Sequence, residues 1–136
     1  MKGGKKKELI PRLLGEIVTL PDILFVMGKG PEAVMEAWVN PEETRFSLRD
    51  GWIAVESKPW HCHLQLREIS ELRFVEEPDP HDPARQAFSV RFLRGDGEPL
   101  LMVFFGRMYD EGGKLVTEKV GRFRSLREEY EVIELG

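Results

Sequence analysis

The chain has 136 residues, of which 41% are hydrophobic and 32% are charged, a composition that suits one folded domain with a sizeable core. Its net charge of −4 at pH 7 argues against nucleic acid as the main partner, because phosphate binding needs a net basic face. One cysteine excludes an internal disulfide and suits a reducing compartment. No run approaches the ~18 apolar residues of a membrane span. We therefore expect a soluble, cytoplasmic protein that binds neither nucleic acid nor membrane.

The N-terminal segment predicts one amphipathic helix after a basic end. Lysines dominate residues 1–8, which we expect to be flexible. Apolar residues then recur with helical spacing through residues 9–18, and Pro21 marks the end of the helix. The next segment, residues 22–27, is a short apolar run that periodicity alone assigns neither to a strand nor to a buried helix.

The middle of the chain predicts an antiparallel sheet. Alternating or continuous apolar runs predict strands at residues 33–39, 46–48, 52–56, 60–66, 72–76, 88–93 and 100–105. Asp50-Gly51 is typical of a two-residue hairpin turn. Residues 78–83 contain three prolines, which remove backbone donors and fix φ, so this segment predicts a loop.

The C-terminal part predicts a second helix. Its apolar face is formed by Val116, Val120, Phe123, Leu126 and Tyr130. The order of helix, meander and helix predicts an α+β fold, with residues 1–136 forming a single domain. The aromatic residues at helix or strand spacing are expected in its core, namely Phe88, Phe92, Phe104 and Phe123.

The strand at residues 60–66 carries the main candidate site. Alternation places His61 and His63 on one face and Cys62 and Leu64 on the other, which we take as the core face. A Cys–His nucleophilic pair does not fit this arrangement. The imidazoles would be about 7 Å apart, since strand residues rise roughly 3.3 Å each. Such a pair can bind a metal, a haem edge or a carboxylate, or can take part in hydrogen bonds alone.

A metal-dependent, cupin-like enzyme is one specific hypothesis for this face. His61, His63 and Glu68 have the H-x-H-x4-E spacing with which cupins bind one metal through two imidazoles and a carboxylate. The flanking glycines of that motif are replaced by Val55 and Val75, and no second motif with a third histidine follows. The spacing is therefore present without its usual context.

Short motifs between residues 60 and 105 occur in a particular linear order. They are Trp60-His61-Cys62-His63-Leu64-Gln65-Leu66, Ile69, Arg73-Phe74-Val75, Phe88-Ser89-Val90-Arg91-Phe92-Leu93, Gly95-Asp96-Gly97-Glu98-Pro99-Leu100-Leu101 and Phe104-Phe105, with Phe123, Leu126, Arg127 and Tyr130 in the closing helix. This order resembles haem-utilisation proteins of the HemS/ChuX/HutX group. The likeness covers roughly residues 15–130. The chain is shorter than the two-repeat members, so it resembles a single unit of the ChuX/HutX type, which would need a partner chain to match their size.

The resemblance implies a curved antiparallel sheet flanked by N-terminal and C-terminal helices, often paired as a homodimer. It also implies a cytoplasmic haem-binding protein that stores haem or hands it to a receiving protein, and that is not an enzyme. On this chain it makes His63 the first candidate for the axial ligand of haem iron and His61 the second. Tyr109 is a further candidate, and Arg73 or Arg91 would pair with the propionates. The alternative is the same fold without haem, acting as a small-ligand or protein-binding module.

Overall fold

The computed structural model describes residues 2–131, and within them the side chains of residues 8–28 and 30–131. In chain order the elements are α1 (Lys2–Ile17), β1 (Ile23–Lys29), β2 (Ala33–Val39), β3 (Arg45–Arg49), β4 (Trp52–Glu56), β5 (His61–Gln65), β6 (Glu71–Asp79), β7 (Asp82–Leu93), β8 (Pro99–Phe105) and α2 (Thr117–Tyr130), with one turn of 3-10 helix at Leu66–Glu68 after β5. The predicted α+β class, with helices at both ends of a single domain, is confirmed. No helix in the described part of the chain is long and apolar enough to cross a membrane.

The strands form two antiparallel sheets. The large sheet has the order β2-β1-β8-β7-β6, and the small sheet has the order β3-β4-β5. Residues 33–39 and 52–56 match β2 and β4 from end to end. The undecided run at residues 22–27 belongs to β1 from Ile23 onward. Helix α1 begins at Lys2, earlier than expected, so it includes residues that we assigned to a flexible end.

The inner face of the large sheet, the inner face of the small sheet and both helices enclose one hydrophobic core. Phe123 of α2 is completely buried, and its ring meets those of Phe74, Phe88 and Phe105 at centroid distances of 5.6, 5.3 and 5.1 Å in edge-on arrangements. These contacts hold α2 against β6, β7 and β8 together. The prediction that Phe104 lies in the core is wrong, because alternation along β8 turns Val103 and Phe105 inward and Phe104 outward.

The hairpin between β3 and β4 turns at the predicted dipeptide. Asp50 and Gly51 have φ angles of 52° and 81°, the two positive values that a type I′ turn requires. Arg49 consequently faces Trp52 across the turn in the β3–β4 register. The prediction of this hairpin is confirmed. The turn places β4 beside β3, and the other edge of β4 pairs with β5.

The prediction of a loop at residues 78–83 is wrong. β6 continues to Asp79 and β7 begins at Asp82, which leaves a two-residue turn at Pro80-His81. Pro78 is tolerated because β6 lies at the edge of the large sheet, where a missing N–H costs no ladder bond on the open side. The paired segment before Ser89 extends past β8, so this hairpin projects beyond the rest of the sheet.

Glu76 links β6 to α2 through ion pairs. Its carboxylate accepts hydrogen bonds from Arg124 Nη2 at 2.8 Å and from Arg127 Nη1 at 2.8 Å. The two guanidinium groups, that of Arg124 foremost, lower the pKa of the Glu76 carboxyl. Since the folded state lowers this pKa, the group stabilises the fold above its unfolded pKa of roughly 4.3, and the contribution disappears as the pH falls.

We therefore expect Glu76→Gln to lower the free energy of unfolding by about 1 kcal/mol at pH 7 and by much less at pH 3. Urea denaturation at the two pH values measures the difference. Glu128→Gln, at an exposed position of the same helix, is the control and should change stability little at either pH. An equal loss for Glu76→Gln at both pH values would contradict a charge-dependent link.

Candidate functional site

The residues predicted to bind haem lie on two separate surfaces. His61 and His63 belong to β5 and face outward from the small sheet. Arg73 and Arg91 face outward from the large sheet, and Tyr109 follows β8 at one end of the same face. Because the core lies between the two outer faces, the structure does not bring His63 together with Arg73, Arg91 or Tyr109 within one chain.

The histidine face is open and largely polar. The imidazole centroids of His61 and His63 are 6.1 Å apart, and the side chain of His61 is 59% exposed. His61 Nδ1 lies 3.7 Å from Oε2 of Glu56, its cross-strand partner, while His63 faces the small Ala54. This surface offers imidazoles without an apolar slot that would cover a macrocycle.

Cys62 lies on the core side of β5, as predicted. Burial raises the pKa of its thiol to about 11. The group is therefore protonated at neutral pH, and a protonated, buried thiol is a poor nucleophile and a poor metal ligand.

The cupin-like metal centre is contradicted. Among the described residues, no group of three His, Cys, Asp or Glu side chains could hold a metal ion. The physical reason is that β5 ends at Gln65 and the chain turns into the 3-10 helix, so Glu68 no longer follows the strand alternation that orients His61 and His63.

The two predicted propionate-binding arginines are direct neighbours. The register of β6 and β7 places Arg73 opposite Arg91, an arrangement of like charges that is unfavourable by itself. Each charge is balanced by a carboxylate on β6: Glu71 accepts a hydrogen bond from Arg73, and Glu77 accepts one from Arg91. Both arginines are thus engaged in ion pairs.

A cleft of about 410 Å³ lies on the outer face of the large sheet, next to Arg91. Its floor is apolar and is formed by adjacent side chains of β1 and β8, namely Leu24, Val26, Met102 and Phe104. Its rim comes from the projecting β6–β7 hairpin and from the segment after β8, and includes His81, Arg85, Arg107 and Tyr109. We call this feature the outer cleft.

Tyr109 is held in the outer cleft by three contacts. Its hydroxyl accepts a hydrogen bond from the backbone N–H of Gln86 at 2.8 Å, and the guanidinium of Arg85 lies 4.8 Å from its ring centroid. Its backbone also forms a β-bridge with Leu115. The phenol is therefore fixed in position, while its oxygen keeps a second lone pair for another partner.

Gly106 closes one end of the outer cleft. A Cβ atom at this position would lie 3.0 Å from both the ring of Trp38 and the carbonyl oxygen of Asp22. Any larger residue would therefore push the ring of Trp38 or the backbone of Asp22 back by a few tenths of an ångström. Asp22 also pairs with Lys119 at 2.6 Å and with Arg107 at 3.5 Å, so it ties the segment after β8 to α2.

The four floor residues of the outer cleft and three basic residues of its rim, His81, Arg85 and Arg107, were not predicted as site residues. His81 and Arg85 fell within the assumed loop or beside it, and Arg107 carries no local pattern. Arg85 had a usable signal: the period-two alternation of β7 runs back from Arg91 through Ser89 and Ala87 to Arg85, which places all four on one face. The positions of His81 and Arg107 at the cleft follow from pairing between strands that are distant in sequence, so no local pattern could have revealed them.

Comparison with known proteins identifies the fold. A protein-family model matches residues 11–130, whereas a comparison with curated proteins gives no match. The haem-binding protein ChuX is 14% identical with a TM-score of 0.71, and the match covers 90% of this chain and 73% of ChuX. Haem-bound PhuS, a haem-binding protein of Pseudomonas aeruginosa, is 19% identical with a TM-score of 0.65, covering 90% of this chain and 32% of PhuS.

ChuS, a haem oxygenase of Escherichia coli, is 16% identical with a TM-score of 0.66, and the match covers 85% of this chain and 35% of ChuS. The chain thus spans about a third of PhuS and of ChuS. The fold is that of the haem-utilisation proteins. The chain belongs to the HemS/ChuX/HutX-like group of these proteins.

The environment of Cys62 leads to a prediction for thiol labelling. At pH 8, we expect a disulfide reagent such as Ellman's reagent to modify the folded protein at least about 100-fold more slowly than the denatured protein, because a pKa near 11 reduces the thiolate fraction and burial blocks access. Absorbance of the released thiolate gives both rates. Labelling of the folded protein at the rate of the denatured one would contradict the burial of Cys62.

Proposed function

We propose that this chain binds haem in the outer cleft and stores it or hands it on. The observation that supports this proposal is the combination, in one place, of an apolar floor, a fixed phenol and cationic side chains. Haem requires these three features, because its iron takes an axial ligand, its macrocycle needs apolar surface and its propionates favour cations. The volume of about 410 Å³ lies within the usual range for small-molecule sites, roughly 300–1,000 Å³.

The apolar floor supports the macrocycle part of the proposal. Leu24 and Val26 on β1 are registered with Phe104 and Met102 on β8, so the four side chains form a contiguous platform on the sheet. A rigid, paired sheet presents this platform without further ordering, which lowers the entropic cost of binding a flat ligand.

Tyr109 is the proposed axial ligand, and His81 is a second donor on the same rim. A phenolate and an imidazole are both known axial ligands of haem iron. The N–H of Gln86 and the guanidinium of Arg85 orient the phenol and place positive charge beside its ring. When bound, haem supplies the redox-active iron, and the residues of this chain position and retain it.

Arg85 and Arg107 are the proposed partners of the propionates. Both line the outer cleft, and Arg107 is largely exposed and only 3.5 Å from Asp22, so it can turn toward a ligand at small cost. Arg73 and Arg91 lie further along the same face, where Glu71 and Glu77 already balance them. We assign these two residues a supporting electrostatic role.

We further propose that the protein is cytoplasmic and works as a homodimer that delivers haem to a receiving protein. The edge strand β2 supports a contact with another chain, because Val34, Met35 and Trp38 are exposed there by 50%, 74% and 57%. An open strand edge with exposed apolar side chains is suited to pairing with a second protein.

The test is a hemin titration of the purified protein followed by absorbance. We expect a Soret band that saturates at one haem per chain, and at least about 10-fold weaker binding with an altered spectrum for Tyr109→Phe, which removes the phenol oxygen alone. His63→Ala, on the other face, is the matched control and should bind as tightly as the wild type. Loss of binding in His63→Ala with normal binding in Tyr109→Phe would show that the site is on the histidine face. The absence of saturable hemin binding by the wild type and by both variants would indicate a haem-free module.

Binding without degradation is a separate expectation. Incubation of the haem complex with ascorbate in air should leave the Soret band in place, apart from slow bleaching equal to that of haem bound to serum albumin. Conversion to a bile pigment, identified by chromatography, would show that the chain acts as an enzyme on haem, the activity named for ChuS.

A further inference from the structure

The outer face of the small sheet carries ligand-type side chains that haem binding in the outer cleft does not use. We propose that His61 and His63 together bind one divalent transition-metal ion of the Cu²⁺, Ni²⁺ or Zn²⁺ type. This site is distinct from the outer cleft and is independent of the proposed function. It differs from a cupin centre in its ligands. Only two protein side chains would bind the ion, and water would occupy the remaining coordination positions.

The spacing of the two imidazoles favours chelation. Both residues belong to β5, two positions apart, so their side chains leave the strand on the same face. Their ring centroids are 6.1 Å apart. Two imidazoles that share one ion at metal–nitrogen distances of about 2.0–2.1 Å have centroids roughly 4.5–5.2 Å apart in square-planar or tetrahedral geometry, so the rings must approach each other by about 1 Å or slightly more. A small rotation about the torsions of two exposed side chains therefore brings the rings into chelating positions.

The neighbours of the pair leave room for an ion and supply negative charge. Ala54 faces His63 across the β4–β5 ladder, so the side chain directly opposite that ring is small. Glu56 faces His61, with its Oε2 atom 3.7 Å from Nδ1. The carboxylate can orient the imidazole or stabilise a bound cation. Arg45 faces Glu56 from the other side in the β3–β4 register, and its charge opposes part of this effect.

The side chains on the outer face of the small sheet favour binding of a metal cation over binding of a haem macrocycle. Neutral imidazoles suit Zn²⁺, Cu²⁺ and Ni²⁺, and for a given nitrogen site Cu²⁺ binds more tightly than the other two. The same face is polar and exposed, whereas the apolar floor that haem needs lies on the large sheet. A two-imidazole site with water in the remaining positions should therefore prefer Cu²⁺.

The adjacent Trp52 provides a local signal. It faces Gln65 in the β4–β5 register, one diagonal step from His63, and its side chain is about half exposed. Cu²⁺ held by the histidine pair should quench the fluorescence of Trp52. Trp52→Phe should remove most of this quenching without removing binding. Quenching that persists in this variant would instead come from an ion bound near Trp38 or Trp60.

The experiment titrates the untagged, haem-free protein with Cu²⁺ alone and with Zn²⁺ alone, by calorimetry and by tryptophan fluorescence. We expect one ion per chain, tighter binding of Cu²⁺ than of Zn²⁺, and at least about 10-fold weaker binding in both His61→Ala and His63→Ala. His81→Ala, which removes the third histidine from the other face, is the matched control and should bind like the wild type. Circular dichroism establishes that each variant is folded.

Three outcomes would overturn the proposal: no saturable binding, equal binding in the His61→Ala, His63→Ala double variant, or loss of binding in His81→Ala. The result is separable from the haem proposal, because hemin titration of His61→Ala should match that of the wild type. Failure of Cu²⁺ binding with intact hemin binding would reject the metal site alone. Failure of hemin binding with intact Cu²⁺ binding would reject the outer cleft alone.

Discussion

The packing of Phe123 against three neighbouring strands is the interaction on which the rest of the structure depends. Its ring is completely buried and makes edge-on contacts with one phenylalanine from each of β6, β7 and β8. Such contacts add to the free energy of burying the ring, and truncation of a buried phenylalanine typically costs about 3–5 kcal/mol. Because α2 takes the inner face of the large sheet, this arrangement leaves the outer face available for a ligand.

The outer cleft exists because distant segments are fixed to this sheet. Asp22, just before β1, forms ion pairs with Lys119 of α2 and with Arg107 of the segment after β8. Its carbonyl oxygen accepts a hydrogen bond from the N–H of Gly106 at 2.7 Å. Asp22 and Arg107 both have positive φ angles, 60° and 52°, which are uncommon for residues other than glycine. The contacts at Asp22 therefore hold the chain in an unfavourable backbone conformation at the wall of the cleft.

Local sequence signals predicted the parts of the fold that local physics determines. The strands β2 and β4 follow from runs of strand-forming residues, and the β3–β4 hairpin follows from Asp50-Gly51, because few dipeptides accept two positive φ angles. The loop at residues 78–83 was mispredicted because proline is excluded from central strands but tolerated at edges. Whether a strand lies at an edge is a property of the whole sheet and is not visible in the segment itself.

The candidate site was harder to predict for the same reason. Tyr109 and Arg85 are far apart in sequence, and only the pairing of β7 with β8 and the projection of the β6–β7 hairpin bring the guanidinium over the ring. The residues that carried the family resemblance, His61 and His63, were equally well placed on a strand. They lie on the small sheet, however, and its order relative to the large sheet could not be derived from alternation.

The family resemblance and the proposed haem site therefore depend on different parts of the chain. The motifs around β5 have apolar members that fill the core, since Cys62, Leu64 and Leu66 are all buried, and core positions report the fold. The residues that line the outer cleft come mainly from the β6–β7 hairpin and from the segment after β8, which the core constrains less. At identities of 14–20%, the likeness to solved structures shows the fold and assigns no residues in these segments. The proposed haem site is for that reason argued from Tyr109, Arg85 and the apolar floor rather than from the histidines by which the family was recognised.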